Sequence, residues 1–97
     1  MSAESGSTVI TRQFSIVNQR GLHARASAKF VETVNRFDAE VIVKKDNMAV
    51  DGGSILDLMM LAASPGCTIV VEASGHDADA VMDALDALVS DRFGEGH

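Results

Sequence analysis

The sequence has no tryptophan or tyrosine, one cysteine, one proline and few positive charges. Each scarcity narrows the field. Cys67 alone cannot form an internal disulfide, and a single thiol also removes the usual zinc sites, so a cytoplasmic protein without a metal is expected. No apolar run approaches the roughly 18 residues of a membrane span. The opening Met1–Ile10 lacks the basic-then-apolar pattern of a secretion signal. With 8 Lys and Arg against 14 Asp and Glu, the net charge of -6 argues against nucleic acid, whose affinity rests on phosphate neutralisation. The aromatic residues are four phenylalanines, so Val, Ile, Leu, Ala and Met must fill the interior. A chain of 97 residues supports one modest core and leaves little room for a separate substrate pocket.

The scarce positive charge is concentrated. Val9–Arg36 holds Arg12, Arg20, Arg25, Lys29 and Arg36 against Glu32 alone, a balance of +4, while Phe37–His76 carries -4 and Asp77–His97 carries -5. A basic region in an otherwise acidic chain suits an acidic partner or a locally held anion.

Residues 1–8 are Ser- and Gly-rich without apolar pattern and read as a tail. From Val9 to Val17, Ile10, Phe14 and Ile16 alternate with polar residues, which predicts a strand. Asn18 to Gly21 breaks it. From Ala24 the period changes: Ser27, Phe30, Val31 and Val34 fall on one helical stripe that ends near Asn35. Val41 and Val43, then Asp46-Asn47, then Met48–Asp51 describe a hairpin. Ser54 stands as N-cap before a short helix over Ile55–Leu61. Ser64-Pro65-Gly66 is a loop, Thr68–Ser74 alternates as the last strand, and Asp77 offers a cap to a final helix. Ala78, Val81, Met82, Leu85, Leu88 and Val89 form that helix's apolar stripe, with Asp79, Asp83 and Asp86 facing water. The order β-α-β-β-α-β-α predicts an α+β, two-layer open-faced sandwich, a four-stranded antiparallel sheet with three helices on one face. One domain over 9–93 is expected, with 94–97 a C-terminal tail.

The chemistry concentrates in Gly21-Leu22-His23-Ala24-Arg25-Ala26-Ser27. A histidine stands directly before a helix, where unpaired backbone N–H groups and the helix dipole favour an anion. Arg25 adds a charge-assisted hydrogen bond to the same oxygens. The positive surroundings also favour the neutral imidazole, the form that attacks phosphorus. The P–N bond so formed stays reactive because imidazolium is a good leaving group, which suits a relay.

This heptapeptide closely resembles the active-site signature of the HPr family of the bacterial phosphoenolpyruvate-dependent phosphotransferase system. The order of elements agrees, and the resemblance runs from Val9 to Phe93. It implies that His23 is phosphorylated through Nδ1 and that Arg25 is its partner. It also implies enzyme I as phosphoryl donor and an enzyme IIA domain as acceptor. On this reading the protein is a stoichiometric carrier acting between enzymes, a monomer without a cofactor. The family often has Pro where Ala26 stands; alanine is an excellent helix former, so the first turn survives.

Ser54, besides capping its helix, resembles the regulatory serine modified by HPr kinase/phosphorylase; a phosphate there places negative charge beside the docking face. Docking residues are expected on the short helix, where Leu58 and Leu61 face the core and leave Ile55, Leu56 and Met59 exposed. Arg20, Arg25 and Lys29 form a basic rim beside them, with Ala24 and Ser27 in the same contact surface. Asp57 stands where many relatives have lysine. His76 and His97 lack such surroundings, and Cys67 reads as a buried small residue.

The output of the relay stays open between sugar uptake and a nitrogen-related regulatory branch, with Asp57 and Ala26 leaning slightly to the second. A purely regulatory HPr-like module would lack the histidine. A ligand-binding or enzyme domain would need convergent polar groups in a pocket, and no second catalytic cluster appears.

Overall fold

The structure is a computed structural model and describes residues 9–95. The expected N-terminal tail, 1–8, lies outside the described residues, as do 96 and 97. Four strands, β1 (Val9–Ser15), β2 (Glu40–Lys45), β3 (Met48–Asp51) and β4 (Thr68–Ser74), form one antiparallel sheet in the order β1-β4-β2-β3. Three helices, α1 (Ala24–Asn35), α2 (Ile55–Leu61) and α3 (Ala78–Ser90), complete the expected α+β open-faced sandwich.

The sheet's register follows from its alternation. Phe14 is aligned with Ile69, and Val43 with Val71, so the inward side chains of adjacent strands share one face. A slip of one residue would turn that whole set to solvent. Onto this face α1 lays Phe30, Val31 and Val34, α2 lays Leu58 and Leu61, and α3 lays Val81, Met82, Leu85 and Val89, all buried. Arg12 shares the inward parity of Ile10 and Phe14. At the sheet edge its guanidinium escapes the core and bonds Asp83 at 3.0 Å, with Asp86 at 3.7 Å. Both acids remain largely exposed, as their place on α3 predicts.

Three local readings are corrected. Asp77 occupies the N-cap position of α3, but its side chain makes no cap bond. Its Oδ2 accepts from the Asp38 backbone N–H at 2.7 Å, so the carboxylate ties the α1–β2 connection to the start of α3. Cys67 is partly exposed rather than buried. Its Sγ lies 3.3 Å from Ser64 Oγ, and that contact, with the Ser64 backbone next, holds the thiol below the ordinary thiol range. The expected domain end at Phe93 is built as a 3-10 turn, Arg92–Gly94, that buries Phe93 against the core, and of the expected tail 94–97 the described Gly94 and Glu95 are held in place. Arg92, Phe93 and Gly94 all have positive φ, at 55°, 55° and 75°. Two of these lack the freedom of glycine and carry strain, which the burial of a whole phenyl ring offsets. The consequence is functional, because the turn delivers Glu95 to the start of α1.

Candidate functional site

The loop before α1 is built around a close approach. Gly21, at φ 65°, runs so near the Ala63 carbonyl that a Cβ there would lie 2.4 Å from its oxygen. The Leu22 N–H donates to that same carbonyl at 2.9 Å. Leu22 is buried, and its own carbonyl accepts from Ser27 Oγ at 3.1 Å. These bonds fix the residue before His23 on both sides.

His23 is the N-cap of α1 in extended conformation, and its side chain makes no capping bond. The first intrahelical bond runs from Ser27 N–H to the His23 carbonyl at 2.8 Å, leaving the earlier amides of the turn without helical acceptors. No acid stands in that first turn to consume their positive end. The ring is 17 % exposed, so it sits at the surface rather than inside the core.

Arg20, Arg25 and Lys29 line a shallow cavity of about 230 Å³, together with Gly94 and Glu95, the residue that bonds the His23 ring. The basic residues singled out from the sequence thus converge. Lys29 is drawn partly away: its Nζ donates to the Phe93 carbonyl at 2.6 Å and clamps the terminal turn to α1.

Glu95 was not anticipated. One carboxylate oxygen meets His23 Nε2, and the other accepts from Asn18 Nδ2 at 3.1 Å. Asn18 is fully buried, and the same Nδ2 donates to the Gly21 carbonyl at 2.8 Å. Asn18 therefore joins the active loop to the terminal turn. Burial pushes the Glu95 carboxyl up, but hydrogen bonds from His23 and Asn18, then the charges of His23 and Arg20, outweigh it and hold the carboxyl below the ordinary range. A phenylalanine beyond the end of α3's stripe, followed by Gly94, was the available sign that the chain returns to the core. Asn18 had none, since it reads equally well as a strand breaker.

The remaining candidates are distributed as follows. Ala24 and Arg25 are exposed, and so is Arg20. Ser27, expected in the contact surface, is fully buried and spends its hydroxyl on Leu22; no partner can reach it. Ser54 caps α2, its Oγ accepting from Asp57 N–H at 3.2 Å. Asp57 lies in the first turn of α2, where the helix dipole favours an acid. Ile55, Leu56 and Met59 are exposed as expected, and Met60 of the same helix is exposed with them. Among the described residues no group of three His, Cys, Asp or Glu is placed to share a metal ion, and no helix is long and apolar enough to cross a membrane.

One imidazole at a helix start, bonded to a carboxylate that shares a cavity with Arg20, Arg25 and Lys29 on an open-faced α+β sandwich, defines a small anion-handling domain. Residues 10–91 match the family described as the PTS HPr component phosphorylation site. Phosphocarrier protein HPr of Cupriavidus necator is 44 % identical over 91 % of this chain and 99 % of its own. Phosphocarrier protein NPr of Shewanella violacea is 41 % identical over 91 % of this chain and 97 % of its own. Among solved structures, HPr-C-His from Thermoanaerobacter tengcongensis superposes with a TM-score of 0.85 at 37 % identity, over 89 % of this chain and 97 % of that one. The chain belongs to the HPr family of phosphocarrier proteins of the phosphotransferase system.

Proposed function

We propose that His23 accepts a phosphoryl group from phosphorylated enzyme I and passes it to an enzyme IIA domain, the protein serving as a cytoplasmic, stoichiometric carrier. The observation that carries this reading is the placement of a partly exposed imidazole at the uncapped start of α1, next to Glu95 of the cavity shared by Arg20, Arg25 and Lys29. The amides and Arg25 offset the charge of the incoming group. The shallow surface lets one protein deliver and another collect. Ala24, Ile55, Leu56 and Met59, with Met60 on the same short helix as the last three, supply the apolar part of the docking face, and the three cations steer acidic partners toward it.

Incubation with phosphoenolpyruvate and enzyme I tests the assignment. Wild type should gain one acid-labile, base-stable phosphate and His23→Ala none; labelling of the variant would refute it. Arg25→Ala should fold normally and accept phosphate more slowly.

A second output rests on the similarity to a relative named NPr as well as to those named HPr. In that reading the same relay feeds a nitrogen-related regulatory acceptor instead of sugar uptake. Competition between sugar-type and nitrogen-type enzyme IIA domains for the phosphorylated protein decides between them. Ser54 is the proposed regulatory site for HPr kinase/phosphorylase. Its modification replaces a neutral cap by a dianion at the start of α2, next to the docking residues. Phosphoserine at position 54 after treatment with the kinase and ATP is the expected result.

A further inference from the structure

The contact between Glu95 and His23 has no place in a carrier that needs only an imidazole and its cations, yet both side chains in it are largely buried. Resting on the carrier reading, we infer that Glu95 is a positioning residue for phosphoryl transfer: it holds a proton on His23 Nε2, so that Nδ1 always presents a lone pair.

Hydrogen-bond roles fix where the proton sits. A carboxylate accepts and cannot donate, whereas a neutral imidazole donates from one nitrogen and accepts at the other. The contact joins a Glu95 oxygen to Nε2. The Glu95 carboxyl is held below its ordinary range, so at neutral pH it is ionised and Nε2 must be the donor. A neutral ring bound in this way carries its lone pair on Nδ1, the nitrogen through which the family resemblance implies transfer. The second nitrogen's partner selects the tautomer, as it does for histidines that bind metals or abstract protons.

Glu95 is itself held from three sides. Asn18 Nδ2 grips its other oxygen, Lys29 anchors the preceding Phe93 carbonyl, and the buried Phe93 ring fixes the turn. Two residues with left-handed φ, Arg92 and Phe93, turn the chain toward His23. The side chains involved are 11 % exposed for Glu95 and 17 % for His23, so water competes weakly for the bond.

The transfer then balances simply. The Nδ1 lone pair forms the bond to phosphorus, and the leaving group on enzyme I keeps the electron pair of the bond that breaks. The Nε2 proton stays where it is, and the ring becomes a phosphorylated imidazolium whose positive charge faces Glu95. When an enzyme IIA nucleophile attacks, the N–P electron pair returns to Nδ1. No proton has to move at His23 in either direction. Other charges facing the site are Arg20, from the loop before α1, and Arg25 and Lys29 on α1 itself. All are positive, so Glu95 is the acid that offsets the imidazolium.

Full-length protein labelled with ¹⁵N-histidine tests this without phosphorylation. In wild type the neutral His23 ring should show Nε2 protonated and Nδ1 bare. In Glu95→Ala it should show a mixture of both forms, while Glu95→Gln, whose amide oxygen still accepts, keeps the wild-type form. A second measurement follows loss of phosphate from the phosphorylated proteins against pH. Protonated phosphoimidazole is the labile species, so the profile for Glu95→Ala and Glu95→Gln should move about one unit to lower pH, as expected on losing an adjacent opposite charge. Phosphoryl uptake from enzyme I should slow about tenfold in Glu95→Ala, the scale of removing one such orienting partner. Unchanged ring spectra and an unchanged pH profile in Glu95→Ala would overturn the inference even if His23 is the acceptor. Failure of wild type itself to take up phosphate would instead remove the carrier reading and leave the ring spectra to judge the tautomer alone.

Discussion

Replacing Gly21 by alanine should separate backbone strain from steric collision at the active loop, provided Gly66→Ala is measured beside it. Both glycines have positive φ, at 65° and 87°. Alanine in that region costs about 1 kcal/mol in either place. At Gly66 nothing lies within 4 Å of the added methyl, so the cost ends there. At Gly21 the methyl would lie 2.4 Å from the Ala63 oxygen and 3.0 Å from Ser64 Cα, both backbone atoms without rotamers to escape into. Relief requires moving the Ala63 carbonyl, which accepts the Leu22 N–H at 2.9 Å, and with it the buried Leu22. Overpacking of this kind costs about 1–3 kcal/mol, and loss of the hydrogen bond about 1 kcal/mol more. Gly21→Ala should therefore lose about 2–4 kcal/mol more than Gly66→Ala. On a domain of this size that difference lowers Tm by roughly 8–32 °C. Calorimetry or urea unfolding with a constant m-value measures it. Because Leu22 precedes His23, Gly21→Ala should also slow phosphoryl uptake while Gly66→Ala leaves it near wild type. Equal losses of stability in the two variants would refute the steric argument and leave only the φ cost.

Ser54→Ala removes the acceptor of the Asp57 N–H and should cost about 1 kcal/mol, read as a small drop in Tm without loss of His23 phosphorylation. Acid should release the terminal turn. The folded Glu95 carboxyl binds its proton less tightly than the unfolded one, so its contribution is complete above the ordinary carboxylate range and fades as the pH falls below it. The amide signals of Gly94 and Glu95 should report this loosening in wild type and lose it in Glu95→Gln. A turn that loosens as the pH rises through that range would contradict the sign.

Much of the architecture was legible because most elements are amphipathic at a clean period. β4 and the α1 stripe were bounded correctly from alternation and from the spacing of Phe30, Val31 and Val34, since burial of one face is what those patterns encode. The position of His23 directly before α1, with Arg25 exposed in its first turn, was legible for a local reason too: a helix start, a histidine and a nearby cation lie within a few residues. Ser27 failed because a surface motif says nothing about which of its members turn inward. Its hydroxyl satisfies the Leu22 carbonyl under α1, a fact of packing.

The residues that escaped detection share one property, separation in sequence. Asn18 and Glu95 are 77 positions apart, yet they meet over the active loop. Composition around Glu95 is polar and glycine-flanked, the signature of a loose end, and the left-handed conformations at Arg92 and Phe93 run against local preference. The burial of Phe93, the clamp from Lys29 and the bonds of Asn18 and His23 to Glu95 make that path favourable. A local rule broken at a site is repaid by a distant contact. Here the contact places a single negative charge on the far side of the imidazole from the nitrogen that needs its lone pair. A basic cluster alone would attract the phosphoryl group but leave the ring's tautomer to solvent. With the carboxylate present, the same cluster can attract an anion while the imidazole keeps a fixed proton, so docking charge and nucleophile readiness are controlled by different residues.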